Sequence, residues 1–265
     1  MSTNRIEAKL EQLKTKKEKA FITYLTAGLP DMEKTKAIVK AQEAAGTDIV
    51  EIGVPFSDPI ADGPVIQQAS YESILGGTNI HKCFTAVEEL RAEGCALPMI
   101  FMLYYNTVCH YGVENFVKKC RETGVDGLII PDLPLEEQGP IKQYLTGDET
   151  ILIQLVSPVS AGRIGEIVKS ARGFIYCVSS MGVTGQSGSF HKEILGYLSD
   201  VKKQSPVPVM MGFGITEAKD VALMKDVIDG AIVGSHFINL MREHQFDPQA
   251  AKEYCARFKK ELNLM

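Results

Sequence analysis

Eight short apolar runs recur along the chain, each separated from the next by a helix-patterned segment, and this alternation restricts the fold more than any other feature. The runs are Ala20–Ala27, Val50–Val54, Met99–Tyr104, Gly127–Ile130, Ile151–Val156, Phe174–Val178, Val207–Met211 and Gly230–Val233. Helical spacing fills the intervals: from Asp31 to about Ala45, Val65–Leu75, His81–Glu93, Val113–Thr123, Glu136–Leu145, Arg163–Ala171, Lys192–Gln204 and Glu217–Met224. A further amphipathic helix, Arg5–Glu18, precedes the first run, and Ala251–Leu262 closes the chain with an apolar face. Two helices end in the same Gly-x-Asp junction, Gly46/Asp48 and Gly124/Asp126, as expected of repeated βα units.

No linker or composition break divides residues 1–265. Eight βα units in one domain close most economically into a parallel barrel, so the expected class is α/β: a single (β/α)8 TIM barrel with an extra N-terminal helix. The competing doubly wound open sheet calls for a Gly-rich turn after its first strand. Thr26-Ala27-Gly28-Leu29-Pro30 is not GxGxxG.

Charge and cysteine usage narrow the function classes. With 28 basic and 33 acidic residues the formal net charge is −5, which disfavours nucleic acid and anionic membrane as partners. The 6 cysteines show no CxxC spacing and read as reduced thiols of a cytoplasmic protein. No histidine pair has ligand spacing with a carboxylate, so no metal is expected.

The chemistry concentrates after the second run, in Val50-Glu51-Ile52-Gly53-Val54-Pro55-Phe56-Ser57-Asp58-Pro59-Ile60-Ala61-Asp62-Gly63-Pro64. A charge is out of place at Glu51, because burying an unpaired carboxylate costs several kcal/mol or drives its pKa upward. Either a Lys or Arg on a neighbouring strand pairs with it, or it is chemically employed. Pro55, Pro59 and Pro64 leave Asp58 and Asp62 on a stiff loop, where each is a turn cap taken singly and a partner for Glu51 taken together. Barrel chemistry lies at the C-terminal strand ends. There the sequence also sets Tyr104, Tyr105 and Asn106 after strand three and Asp132 after strand four.

Gly-rich segments follow the last three strands: Met181–Gly188, Gly212–Ile215 and Val233–Ser235. Exposed amides there, with a short helix His236–Met241 opening at Gly234-Ser235, suit a phosphate dianion.

Several of these motifs, in order over nearly the whole chain, resemble the tryptophan synthase α-subunit family. They are VEIGVPFSDPIADGPVIQQAS, the IIPDLP of Ile129–Pro134, the MGVTG of Met181–Gly185, and GFGI with VGS. The resemblance implies an eight-stranded barrel and a cofactor-free lyase that splits indole-3-glycerol phosphate into indole and glyceraldehyde 3-phosphate. It implies Glu51 as general acid and base and Asp62 as the carboxylate facing the indole N–H. Phosphate would sit on Gly185, Gly214, Gly234 and Ser235, and indole among Tyr24, Tyr104, Leu128 and Tyr176.

A pyridoxal-phosphate β subunit would complete an α2β2 assembly. It would dock on the barrel mouth, on loops stiffened by Pro59 and Pro134 and on Val108, His110 and Tyr111 of an exposed loop. Ser180, Met181 and Ser157-Pro158 depart from the family's commoner residues. Other readings are a free-standing lyase, a phosphoribosyl isomerase and a non-catalytic regulatory subunit; SDPIADGP disfavours the isomerase, and retention of both carboxylates disfavours the last.

Overall fold

A computed structural model describes residues 4–178, 189–212 and 214–265. The strands are β1 (Ala20–Thr26), β2 (Ile49–Gly53), β3 (Met99–Met102), β4 (Gly127–Ile129), β5 (Ile151–Leu152), β6 (Gln154–Val156), β7 (Ile175–Cys177), β8 (Val209–Met211) and β9 (Gly230–Val233). All nine belong to one sheet in the order β5-β4-β3-β2-β1-β9-β8-β7-β6, and every pairing is parallel. Only Ile153 separates β5 from β6. Its amide donates to Leu128 O of β4 at 2.9 Å, while Gln154 already pairs with Ile175 of β7. The fifth apolar run therefore hydrogen-bonds to both ends of the sheet in succession, and the eight expected strands close into a barrel.

The helices are α1 (Arg5–Lys16), α2 (Met32–Ala44), α3 (Pro64–Leu75), α4 (Ile80–Ala92), α5 (Tyr105–Tyr111), α6 (Val113–Thr123), α7 (Gly139–Lys142), α8 (Ile164–Lys169), α9 (Ser189–Gln204), α10 (Ser235–Glu243) and α11 (Pro248–Leu262). Strand alternation divides the core in two. Inward residues such as Ile22, Ile49, Ile100, Ile129 and Phe174 fill the barrel together with Ile6, Leu10 and Leu13 of α1. Outward residues such as Phe21, Val50, Phe101 and Leu128 pack under the helices.

The N-terminal helix is thus a plug for the barrel floor. Asn4 caps it by accepting from the Ile6 and Glu7 amides, and its own side chain donates to Asp126 O at 2.8 Å.

The Gly-x-Asp junctions have a structural purpose. Asp48 accepts from the Phe21 amide at 2.8 Å and pairs with Lys259 at 2.7 Å. Asp126 accepts from the Met99 amide at 2.8 Å and pairs with Arg91 at 2.6 Å and Arg5 at 2.8 Å. Asp229 repeats the pattern with the Val209 amide at 2.7 Å and Lys202 at 2.5 Å. Each aspartate ties the start of its strand to a neighbouring strand.

Three segments depart from the sequence expectation. Residues 106–112, expected as an exposed loop, fall almost wholly in α5, with Val108 fully buried and so not a docking contact. Thr107, Val108 and the aromatics give poor helix propensity; packing of Tyr111 against Phe84 and Phe116 outweighs it. Glu136–Leu145 breaks into a 3-10 turn, Leu135–Glu137, and α7, because Pro140 fits only the first turn of a helix. Glu217–Met224 is a 3-10 segment, Ala218–Met224, fixed by a capping box between Glu217 and Asp220.

Candidate active site at the barrel mouth

Glu51 lies inside the barrel, in register with Tyr24 of β1 and Ile100 of β3. It is fully buried, and neither carboxylate oxygen has a hydrogen-bond partner among the described residues. Desolvation alone pushes its pKa up to about 8. The pairing reading of Glu51 therefore fails: no Lys or Arg among the described residues meets it. Desolvation thereby favours the protonated carboxyl near neutral pH.

Two tyrosines stand beside it. A Cβ on Gly53 would lie 2.0 Å from the Tyr24 hydroxyl, so the room that glycine leaves is occupied by the Tyr24 ring. Gly212 does the same for Tyr176, whose hydroxyl would be 2.5 Å from an added Cβ. Burial raises the pKa of both phenols, and the nearby charges of Glu51 and Asp62 add to it. Both therefore remain neutral hydrogen-bonding groups.

Asp62 reaches the same volume from the loop after β2. The Tyr104 hydroxyl donates to Asp62 Oδ2 at 2.9 Å and accepts from the Ala61 amide at 2.9 Å, while the Tyr104 ring stacks on Phe56 with centroids 4.9 Å apart. One tyrosine thereby anchors the loop at three points. Desolvation raises the Asp62 pKa from its ordinary value and the Tyr104 hydrogen bond opposes that rise, so the loop is less polar around Asp62 than its sequence suggests. Asp58 is exposed, and its carboxylate accepts from the Ser57 hydroxyl.

The phosphate-type features sit across the mouth, after the paired strands β8 and β9. Gly214 has φ +63°, a left-handed conformation open to glycine, and none of the described residues lies within 4 Å of where its Cβ would be. Gly234 is the N-cap of α10 and faces Tyr24: a Cβ added to Gly234 would lie 3.7 Å from Tyr24 Cβ. Ser235 begins α10, so the first-turn amides of that helix, which have no intrahelical acceptor, open beside the mouth.

The family profile described as tryptophan synthase alpha chain matches residues 10–264. A tryptophan synthase alpha chain of Lachnospira eligens is 62% identical over 262 residues, covering 98% of this chain and 99% of its own length. The chain belongs to the tryptophan synthase alpha chain family. Another member, from Alkaliphilus metalliredigens, is 44% identical over 98% of this chain. Among solved structures, tryptophan synthase subunit alpha from Legionella pneumophila str. Paris superposes with a TM-score of 0.90 at 32% identity, covering 100% of both chains. A chain of Mycobacterium tuberculosis tryptophan synthase gives 0.87 at 31% identity, covering 99% of each.

Within this alpha-chain barrel the structure brings together Tyr24, Glu51, Asp62, Tyr104 and Tyr176, with Gly214, Gly234 and Ser235 on the facing rim. Gly185, with Ser180 and Met181, lies outside the described residues. The structure does not bring Leu128 to the group. Leu128 packs in the helix-facing layer, and its neighbour Ile129, in register with Met102, is the inward residue. A side-chain period of two makes a one-residue offset fatal to such an assignment, and pairing from Glu51 through Ile100 and Met102 gives the correct parity. Phe56 was also missed, since nothing in a Pro-rich loop marks which aromatic will stack. Among the described residues no group of three or more His, Cys, Asp or Glu side chains is placed to hold a metal ion, and no helix is long and apolar enough to cross a membrane.

Proposed function

We propose that this barrel mouth cleaves indole-3-glycerol phosphate into indole and glyceraldehyde 3-phosphate. The observation that carries the reading is Glu51, fully buried, with neither carboxylate oxygen hydrogen-bonded among the described residues and its pKa pushed up to about 8 by desolvation. Such a group can both give and take a proton near neutrality.

The Glu51 carboxyl protonates C3 of the indole ring, leaving a cationic indolenine. Asp62, oriented by Tyr104, accepts the ring N–H and stabilises that charge. The Glu51 carboxylate then removes the proton from the glycerol hydroxyl adjacent to the ring. The oxygen forms the aldehyde carbonyl, the C–C bond breaks, and its electron pair returns to the ring as neutral indole. The ring nitrogen is the electron sink, so the sequence of steps draws on no cofactor of this chain. Tyr24 and Tyr176 flank the ring, and Gly214, Gly234 and Ser235, with Gly185, receive the phosphate.

Within the same reading the chain works as the α subunit of an α2β2 cytoplasmic assembly, its mouth covered by a β subunit that consumes the indole. Ile60 supports that docking face, since it is a large apolar side chain 85% exposed in the loop after β2. The test is release of indole from indole-3-glycerol phosphate, measured with and without a cognate β subunit. Release in the first arm and its stimulation in the second are expected; no release in either would overturn the reading.

A further inference from the structure

The residue that precedes α5 is an unusual helix cap. Tyr104 occupies the N-cap position with extended backbone, φ −84° and ψ 145°, yet its side chain makes no capping hydrogen bond. Ser, Thr, Asp or Asn normally supply the oxygen there. The Tyr104 side chain is committed elsewhere, to Asp62, Ala61 and Phe56. The first amide of α5 is held instead from a different loop: Asp132, after β4, accepts the Tyr105 amide with Oδ1 at 2.9 Å and Oδ2 at 3.2 Å.

Asp132 is exposed, but the segment carrying it is anchored. The Leu133 amide donates to Ile130 O at 3.2 Å. Gln138 Nε2 reaches Leu133 O at 3.3 Å, and Gln138 and Gln154 exchange amide hydrogen bonds of 3.0 and 3.1 Å in the core. The charge of Asp132 also acts on the Tyr104 phenol, raising its pKa alongside burial and Asp62.

We propose that Asp132 is a positioning residue: by capping α5 from the loop after β4 it fixes the backbone at Tyr104–Tyr105, and through the Tyr104 hydroxyl it aims Asp62. This rests on the reaction proposed above for its kinetic consequence, but not for its structural one. The three loops after β2, β3 and β4 then form one mechanical unit, and a small displacement at the first amide of α5 misplaces the carboxylate. Misplacement by about an ångström far from the chemistry is sufficient to cost on the order of a hundredfold in rate.

The experiment compares Asp132→Ala with Asp132→Asn, which keeps an acceptor oxygen while removing the charge. Both are first checked for unchanged circular dichroism. Asp132→Ala is expected to lower kcat for indole release by roughly tenfold or more with KM within about twofold, and Asp132→Asn to stay within about threefold of wild type. Amide hydrogen exchange supplies a readout that needs no activity. Ala61, whose amide bonds to the Tyr104 hydroxyl, should exchange faster in Asp132→Ala and not in Asp132→Asn. A role confined to α5 would alter exchange only in residues 105–108.

Unchanged Ala61 exchange in Asp132→Ala, or equal loss of kcat in both variants, would overturn the proposal. If wild-type protein releases no indole, the reaction is wrong, and Ala61 exchange still decides the positioning.

Discussion

The two ends of this barrel treat buried carboxylates in opposite ways. At the N-terminal end Asp48 is 4% and Asp126 1% exposed, and each has a cation and a strand amide as partners. At the mouth Glu51 is 0% exposed and has none among the described residues. Desolvation pushes all three pKa values upward; only at Asp48 and Asp126 do Lys259 and Arg91 pull the other way. Equal burial therefore does not mean equal purpose. A carboxylate with satisfied oxygens fixes strand ends, whereas one left unsatisfied holds its proton to higher pH and is the candidate for proton transfer.

The sharpest way to break this contrast is Glu51→Gln, which keeps volume and burial but cannot shuttle a proton. Indole release should fall by ~10²–10⁴-fold while the midpoint of urea unfolding at neutral pH is not lowered. Turnover close to wild type would remove Glu51 from the chemistry.

Asp126→Ala should show the reverse profile. It removes the carboxylate partner of Arg91, which keeps only backbone carbonyls as acceptors among the described residues, and strands the Met99 amide, so stability should drop by about 3 kcal/mol in urea titration, with kcat of the folded protein preserved. A large loss of kcat without loss of stability would mean that the two ends are not separable.

The pH dependence of stability tests the same point with a definite sign. Because the folded pKa of Glu51 lies near 8, above its unfolded value, folded protein holds a proton that the unfolded chain releases. Wild type therefore loses stability from Glu51 as pH rises from about 4.5 to 8, and Glu51→Gln does not. Between pH 6 and 8 the difference between them should shift by about 2–3 kcal/mol in favour of the variant. A constant difference across that range would show that Glu51 is already ionised at pH 6.

The smallest effect belongs to the third clamp. Lys202 and Asp229 are 40% and 34% exposed, so Lys202→Met should cost only about 0.5 kcal/mol by the same titration. A loss as large as that of Asp126→Ala would show that clamp strength does not follow burial.

Much of the architecture was legible in the chain because its signals are local. Apolar runs of strand length, helical spacing between them and the repeated Gly-x-Asp junctions required only near neighbours. The position of Glu51 within a β-branched run marked it as anomalous; the rigid loop offered Asp58 and Asp62 alike, and the family resemblance chose Asp62. Leu128 shows where this stops. A run of only three paired residues, Gly127–Ile129, does not declare which face is inward, and the register with Met102 decides it. Likewise α5 contradicts its own propensities, since the Phe84 and Phe116 rings that stabilise it are distant in sequence.

By itself, then, the sequence determined the βα alternation, the eight apolar runs and the residues whose chemistry is out of place, because periodicity and residue type act over a few positions. Only the tertiary structure decided that Ile153 closes the ring, that Tyr24 fills the space above Gly53, that Asp132 caps a helix begun by Tyr104, and that no cation among the described residues reaches Glu51. Each of these depends on groups far apart in the chain meeting across parallel strands. The pKa of a carboxyl is set by the water it loses and the partners it gains, and both are properties of the closed barrel.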